Sequence, residues 1–335
     1  MTNPVWAWAV EHRLTGYGLN KAFLGPRSEH VGPCWSFSRY GGTETLLPDG
    51  RLVRIGGEYE DHYDADFYIY NDVIVSDAEG HTEIFGYSDK VFPPTDFHTA
   101  NLVDDRIFMI GNLSYPFIRA DKAQVLVLDT TSYGIGHFET TGEAPPWIYK
   151  HSSELVKNGG AILVRGGLLI GPAWPVVVEN IDDWRLDITA GRWERLTKRP
   201  WPRFSFVRDD GLPNHLTWLR RALSDQKWGK SENRSSFLAE RLRELGPNPR
   251  IDLIETLYTP ELPHSNIPEM ADEHGVHRLC VEGVTVRYVE DWHDIQLTVE
   301  GVLPDQTVEM IRLDLLTKLA AIENANIDCV RLTVD

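Results

Sequence analysis

Arg51-Leu-Val-Arg-Ile-Gly56-Gly57, Arg106-Ile-Phe-Met-Ile-Gly111-Asn112 and Ala161-Ile-Leu-Val-Arg-Gly166-Gly167 are three apolar runs that end in glycine, and their first glycines lie 55 residues apart in both intervals. Even spacing of this kind marks an internal repeat. Each run follows a turn signal, Pro48-Asp-Gly50, Asp104-Asp105 or Asn158-Gly159-Gly160, so each reads as the second arm of a β-hairpin. The first arms open at Tyr40-Gly41, His98-Thr-Ala-Asn-Leu102 and His151-Ser-Ser-Glu-Leu155. Past each glycine come a variable loop and a third strand ending in Asp: Asp72-Val-Ile-Val-Ser-Asp77, Gln124-Val-Leu-Val-Leu-Asp129 and Asp183-Trp-Arg-Leu-Asp187. A fourth strand carries Phe85, Phe138 or Trp193. Four strands in a unit of about 50 residues is the pattern of a propeller blade. The glycines suit a strand end that turns sharply and approaches a neighbouring backbone.

At these residues the chain resembles the kelch-repeat family, over residues 37–204. The third unit carries the fullest set, with Gly166-Gly167, Asp183-Trp184, Leu186-Asp187 and Trp193 in order. The second has Asn112 in place of a second glycine, and the first has neither the opening His nor a late Trp. The resemblance implies a mainly β N-terminal region, a partial or small β-propeller of four-stranded blades. Because closed propellers need at least four blades, residues 1–36, with Trp6 and Trp8, are expected to pack on the propeller or to complete a blade.

After Phe204 the apolar period changes from two to helical spacing, which places a boundary near 205–212 and an α+β domain over 205–335. Its expected elements are helices over 213–226 and 231–245, a strand over 250–258 and a proline-rich loop over 259–273. A strand pair follows over 276–289 and 294–300, then a helix over 304–325 and a last strand over 329–334.

Charge narrows the class. The 335 residues carry a formal charge of −17 and a pI near 5.1, so nucleic acid or an anionic membrane repels the molecule as a whole. Nine acidic residues and no Lys or Arg occupy 56–85; 15 basic residues against 8 acidic occupy 185–250; 11 acidic against two basic occupy 261–309. This segregation favours internal docking or a basic protein partner. The N-terminus lacks the layout of a signal peptide and no stretch approaches the length of a membrane span, so the expected location is cytoplasmic. Cys34, Cys280 and Cys329 make no disulfide framework, which suits a reducing compartment and buried thiols.

Chemistry-bearing motifs are sparse. His264, His274, His277 and Cys280 have zinc-binding donors, but His277 and Cys280 fall on opposite faces of a strand. Asp61, Asp64 and Asp66 lack the Gly and distal Glu of a calcium loop. There is no GxSxG elbow, P-loop or GxGxxG, and the pairs Asp104-Asp105, Asp182-Asp183 and Asp209-Asp210 sit where turns favour Asp. His98 and His151 hold matching places in two units, which predicts a repeated structural hydrogen bond. No catalytic residue, cofactor or metal is expected, and the chain reads as no enzyme.

The segment that stands out is Glu58-Tyr-Glu-Asp-His-Tyr-Asp-Ala-Asp-Phe-Tyr-Ile-Tyr70, which interleaves five carboxylates with aromatics. Tyrosine supplies contact area at low entropy cost and carboxylates pair with guanidinium, so Glu58, Tyr59, Glu60, Asp61, Tyr63, Asp64 and Asp66 are the candidate partner-binding residues, weighed against a merely solvated loop. A second candidate is the turn Glu290-Asp-Trp-His-Asp294, with Asp291, Trp292 and Asp294. The reading is a non-enzymatic protein that holds a basic protein partner. An acidic cytoplasmic chain without catalytic motifs resembles the immunity proteins that bacteria keep against secreted nuclease toxins, type VI secretion included. That resemblance implies a nuclease-type toxin as partner. The competing readings are an enzyme or carbohydrate-binding kelch propeller with its site in the blade loops, and a scaffold subunit of a multiprotein complex.

Overall fold

The computed structural model describes residues 4–24, 35–60, 67–156, 159–170, 177–227, 243–246, 250–268 and 275–333. The chain is mainly β and divides into two compact units, Met1–Arg199 and Pro200–Asp335.

Two helices, α1 (Pro4–Glu11) and α2 (Gly16–Leu24), open the first unit. The first repeat contains β1 (Thr43–Leu46), β2 (Leu52–Ile55), a short pair β3 (Glu58–Tyr59) and β4 (Tyr68–Ile69), then β5 (Asp72–Ser76) and β6 (Thr82–Gly86). The second contains β7 (Thr99–Val103), β8 (Arg106–Ile110), β9 (Val125–Asp129) and β10 (Ile135–His137). The third contains β11 (Thr141–Gly142), β12 (Trp147–Tyr149), β13 (Ser152–Leu155), β14 (Ala161–Arg165), β15 (Leu168–Ile170), β16 (Val177–Glu179), β17 (Trp184–Asp187) and β18 (Arg192–Arg195). The principal sheets are β1-β2-β5-β6, β7-β8-β9-β10 and β13-β14-β17-β18, the last extended at its edge by β11 pairing parallel to β18. Gly56, Gly111 and Gly166 each follow the second strand of a sheet with φ of +55°, +64° and +60°.

Alternation along each strand decides the stacking. Leu47, Val53, Ile55, Val73 and Val75 of the first sheet share one core with Ile107, Met109, Leu126 and Leu128 of the second. Near the inner strands the contact is polar and repeats: His98 Nε2 lies 2.9 Å from Thr43 Oγ1, and His151 Nε2 lies 2.9 Å from Thr99 Oγ1. Burial holds both imidazoles neutral, at about 3 for His98, where His151 adds to the effect, and about 4 for His151.

Below about pH 6.5 the unfolded chain protonates both imidazoles and the native state does not, so stability present above that pH is lost as it falls, by up to about 1.4 kcal/mol per pH unit and histidine. The stability deficit of His151→Gln should therefore shrink by roughly 2 kcal/mol between pH 8 and pH 5. A constant deficit in urea unfolding would mean that folding leaves the His151 pKa unchanged.

The ends of the stack are finished differently from its middle. Gly42 occupies the first-repeat position of His98 and His151. Ser152 occupies the position of Thr43 and Thr99, each opposite the last residue of its second strand, and its hydroxyl donates within its own sheet to the Arg165 carbonyl (3.1 Å). On the first sheet's outer face Ile74 and Ile84 are covered by Trp6, Val10, Trp35 and Phe37, so residues of the N-terminal segment stand where another sheet would pack. The third sheet's outer face is a charge ladder: Arg165 with Glu154 (2.6 Å) and Asp183 (3.7 Å), Arg185 with Asp187 and Glu194 (both 3.6 Å). A solvated terminal face of this kind keeps a stacked array from extending. Among the described residues there is no closed barrel or propeller.

The second unit has one six-stranded antiparallel sheet, built from β19 (Arg203–Arg208), β20 (Ser265–Ile267), β21 (Val276–Val281), β22 (Val284–Glu290), β23 (Asp294–Val299) and β24 (Ile327–Arg331), in the order β20-β21-β22-β23-β19-β24. Helix α3 (Leu216–Lys227) and helix α4 (Asp305–Glu323) pack Leu216, Leu219, Ile311, Leu315 and Leu319 against its Val281, Val286, Leu297 and Val299.

Several expectations need correction. Arg203 and Phe204, assigned to the blades, enter β19 because that strand pairs on both sides with β23 and β24. The 250–258 strand is a 3₁₀ helix, Ile251–Thr256: three-residue spacing puts buried Ile254 and Leu257 on one side, facing the core. The single strand over 276–289 folds back at Glu282-Gly283, both with positive φ (+49° and +83°), the requirement of a two-residue type I′ hairpin. Within the expected loop 259–273, Ser265–Ile267 adds an edge strand. Most of the expected helix over 231–245, together with Cys34 and His274, lies outside the described residues.

Candidate functional site

The glycine turns bring two kinds of loop together at one end of the sheets. Gly57 N–H donates to the Thr95 carbonyl (2.8 Å), Thr95 N–H to Tyr70 (3.1 Å) and Tyr70 N–H to Gly57 (2.9 Å). In the next repeat Asn112 N–H donates to the Ile148 carbonyl (3.0 Å). The loop leaving a second strand is thereby fastened to the loop entering the following sheet.

Glu58 is half-buried on this face, and its carboxyl is pushed up to about 7 by burial first, then by the charges of Asp96 and Glu60, with Lys150 opposing. Asp96 is fully buried; its Oδ1 accepts the Ser114 N–H (2.7 Å), yet burial still raises it. Glu60 is exposed. Lys150 Nζ stands 4.8 Å from the Phe97 ring centroid. A half-buried carboxyl that titrates near neutrality becomes ionised when a cation is brought to it.

Beside these carboxylates is an aromatic surface. Tyr115 OH accepts the Ile69 N–H (2.9 Å), Phe67 meets Tyr115 edge-on (6.1 Å, 88°), and Phe117 stacks on Tyr115 (5.6 Å, 3°). Phe117 is 85% exposed and Phe67 44%. Tyr59 is half-buried, and its OH accepts the Tyr17 N–H (3.3 Å). Tyr70 is a core residue, 3% exposed, with the Arg39 guanidinium 3.7 Å from its ring centroid and its OH accepting the Ser36 N–H (2.9 Å). Asp61, Tyr63, Asp64 and Asp66 lie outside the described residues. Sequence reading missed Tyr115 and Phe117, although Ser114-Tyr-Pro-Phe117 follows Gly111 as the acidic loop follows Gly56.

The second candidate is more committed to its own fold. Asp291 N–H bonds the Asp294 carbonyl (2.9 Å), and Asn214 Nδ2 donates to the Asp291 carbonyl (2.7 Å). Asp294 accepts from Ser205 (2.8 Å) and Gln296 (3.1 Å), and burial raises its pKa. Trp292 is 43% exposed, its ring packed edge-on against Trp218 (5.8 Å, 78°).

His98 and His151 are spent on the bonds between sheets described above. His277 stacks on Tyr258 (4.4 Å, 25°), and among the described residues it is not gathered with His264 and Cys280 into a ligand set. The grouping of potential ligands that does occur, Asp77, Glu79 and His81, sits on an exposed turn where His81 Nδ1 bonds Asp77 (3.0 Å). A further cluster had no sequence signal. His215 Nδ1 lies 2.7 Å from Glu323 and its Nε2 2.9 Å from Glu244, while Arg208 Nη1 reaches Glu323 at 2.9 Å. Carboxylates occupy both imidazole nitrogens, so neither is left to activate a nucleophile.

No family model and no curated protein matches the chain. Among solved structures, one titled "Structure of YjhT" is similar to it with a TM-score of 0.37 and 13% identity, over 48% of this chain and 53% of that one, so the chain spans about half that structure's length.

Proposed function

We propose that this chain is a non-enzymatic binding protein that holds a basic protein partner on the loop face of the first unit, which we read as a kelch-like partial propeller of three blades. The kelch-like reading is supported by three meandering sheets, a glycine at φ near +60° after each second strand, and the His–Thr bond that recurs between sheets. The observation that carries the binding reading is the exposed Phe67–Tyr115–Phe117 surface beside Glu58 and Glu60. Aromatic anchors ringed by carboxylates suit Arg and Lys side chains. In its narrowest form the proposal is a cytoplasmic immunity protein that neutralises a secreted nuclease-type toxin. A nuclease presents Lys and Arg to phosphate, and an acidic inhibitor competes for that surface and associates fast. With a net charge of −17, direct binding to nucleic acid or an anionic membrane is not part of the proposal. No described helix is long and apolar enough to cross a membrane.

The test begins with recovery of the partner from the native cell and proceeds to binding kinetics at two salt concentrations. Asn at Asp61, Asp64 and Asp66 should slow association, more so at low salt. Phe117→Ala or Tyr59→Ala should instead speed dissociation, by about 30-fold for a hot spot near 2 kcal/mol. Wild-type rates for all of these variants would remove this face from the interface, and Asp291, Trp292 and Asp294 would be next.

A further inference from the structure

The first sheet departs from the other two at Arg54. Two residues before the glycine turn, the later sheets place Met109 and Val164, both buried; the first places an arginine. Arg54 stands opposite Glu44 and donates from Nε to its carboxylate (2.6 Å), with its guanidinium 5.1 Å from the Phe37 ring centroid. N-terminal residues cover this outer face at Ile74 and Ile84. Toward β1 and β2 a cavity of about 360 Å³ remains, lined by Arg13, Phe37, Ser38, Arg39, Glu44 and Arg54 among others.

Three arginines and one glutamate thus line the cavity, in a chain whose overall charge is strongly negative. Arg39 is committed to Asp72 and to the Ser36 and Gly56 carbonyls. The terminal nitrogens of Arg54 and the guanidinium of Arg13 have no partner among the described residues. Planar guanidinium forks match carboxylate and phosphate oxygens. Phe37 and Ile74 supply an apolar wall, and the volume is that of a small-molecule site.

We propose that this cavity binds a small organic oxyanion, a carboxylate or phosphate monoester, held between Arg13 and Arg54 with its apolar part against Phe37. The site uses none of the side chains assigned to the partner-binding face and does not depend on the partner proposed for it. The experiment is side-chain NMR of ¹⁵N-arginine protein at physiological chloride, titrated with inorganic phosphate and, separately, with benzoate. Saturable shifts of the Arg13 and Arg54 Nε–H signals are expected, with affinity reduced about tenfold or more in Arg13→Gln and in Arg54→Gln. Saturation by phosphate alone assigns a phosphate ligand and by benzoate alone a carboxylate, and either supports the site. Arg13 is exposed, so Arg13→Gln tests the site in a folded protein even if Arg54→Gln unfolds. Saturation by neither probe, or equal affinity in wild type and Arg13→Gln, overturns the proposal.

Discussion

Alanine at Gly56 or Gly111 is expected to destabilise the first unit by about 3 kcal/mol or more, against about 1 kcal/mol at Gly166. All three glycines are in the left-handed region, where any L-residue meets strain. The difference lies in what surrounds them. A Cβ on Gly56 would sit 2.2 Å from the Thr95 carbonyl oxygen and one on Gly111 2.2 Å from that of Ile148, whereas one on Gly166 would meet nothing within 4 Å. Both carbonyls accept the next residue's N–H, so they cannot turn aside without breaking the bonds that fasten one repeat to the next. The first two variants therefore add a backbone clash to the conformational cost. Urea unfolding of the three variants is the measurement; equal losses would mean that φ alone sets the cost and that close approach between repeats adds nothing.

The same comparison explains what was legible in the sequence. A glycine required by backbone geometry recurs wherever the geometry recurs, so the period was open to reading. His98 and His151 were legible for the same reason: their hydrogen bond repeats with the repeat. The ends of the array were not, because they depend on which face of a strand lacks a neighbour. Arg54 in place of Met109, and the ladder around Arg165 and Arg185, acquire meaning only once the stacking direction is known. Ile251 to Thr256 is too short for its period to separate strand from helix. Of the binding face, the Glu58 loop was visible through composition, while Tyr115 and Phe117 come from the next repeat and join it only in space. Asp294 looked like an exposed turn carboxylate, but the hydroxyl that binds it belongs to Ser205, 89 residues away.

Glu323→Ala should cost the second unit about 3–5 kcal/mol, the penalty for removing one member of a buried charged network. The Glu323 side chain is fully buried and receives the His215 imidazole, the Arg208 guanidinium and the His215 backbone N–H (2.8 Å). Its loss leaves Arg208 with Asp210 alone and His215 with Glu244 alone, both part-exposed, and removes the buried acceptor that the two share. Glu323→Gln keeps the shape and isolates the charge. Glu323 chiefly, and Glu244 next, raise the His215 pKa, while burial and Arg208 oppose them. A histidine whose pKa is raised by folding contributes stability that is complete below its unfolded value, about 6.5, and is lost as pH rises through the folded value. Wild-type protein should accordingly lose second-unit stability on the alkaline side of pH 6.5, and Glu323→Gln should lose less because only Glu244 still holds the proton. Hydrogen exchange of β19 and α4 amides reports this unit separately from Glu58, His98 and His151. An NMR titration of His215 gives the second readout, with its pKa moving down in Glu323→Gln. An unchanged His215 pKa in that variant would mean that the imidazole owes its proton to Glu244, and that Glu323 serves Arg208 alone.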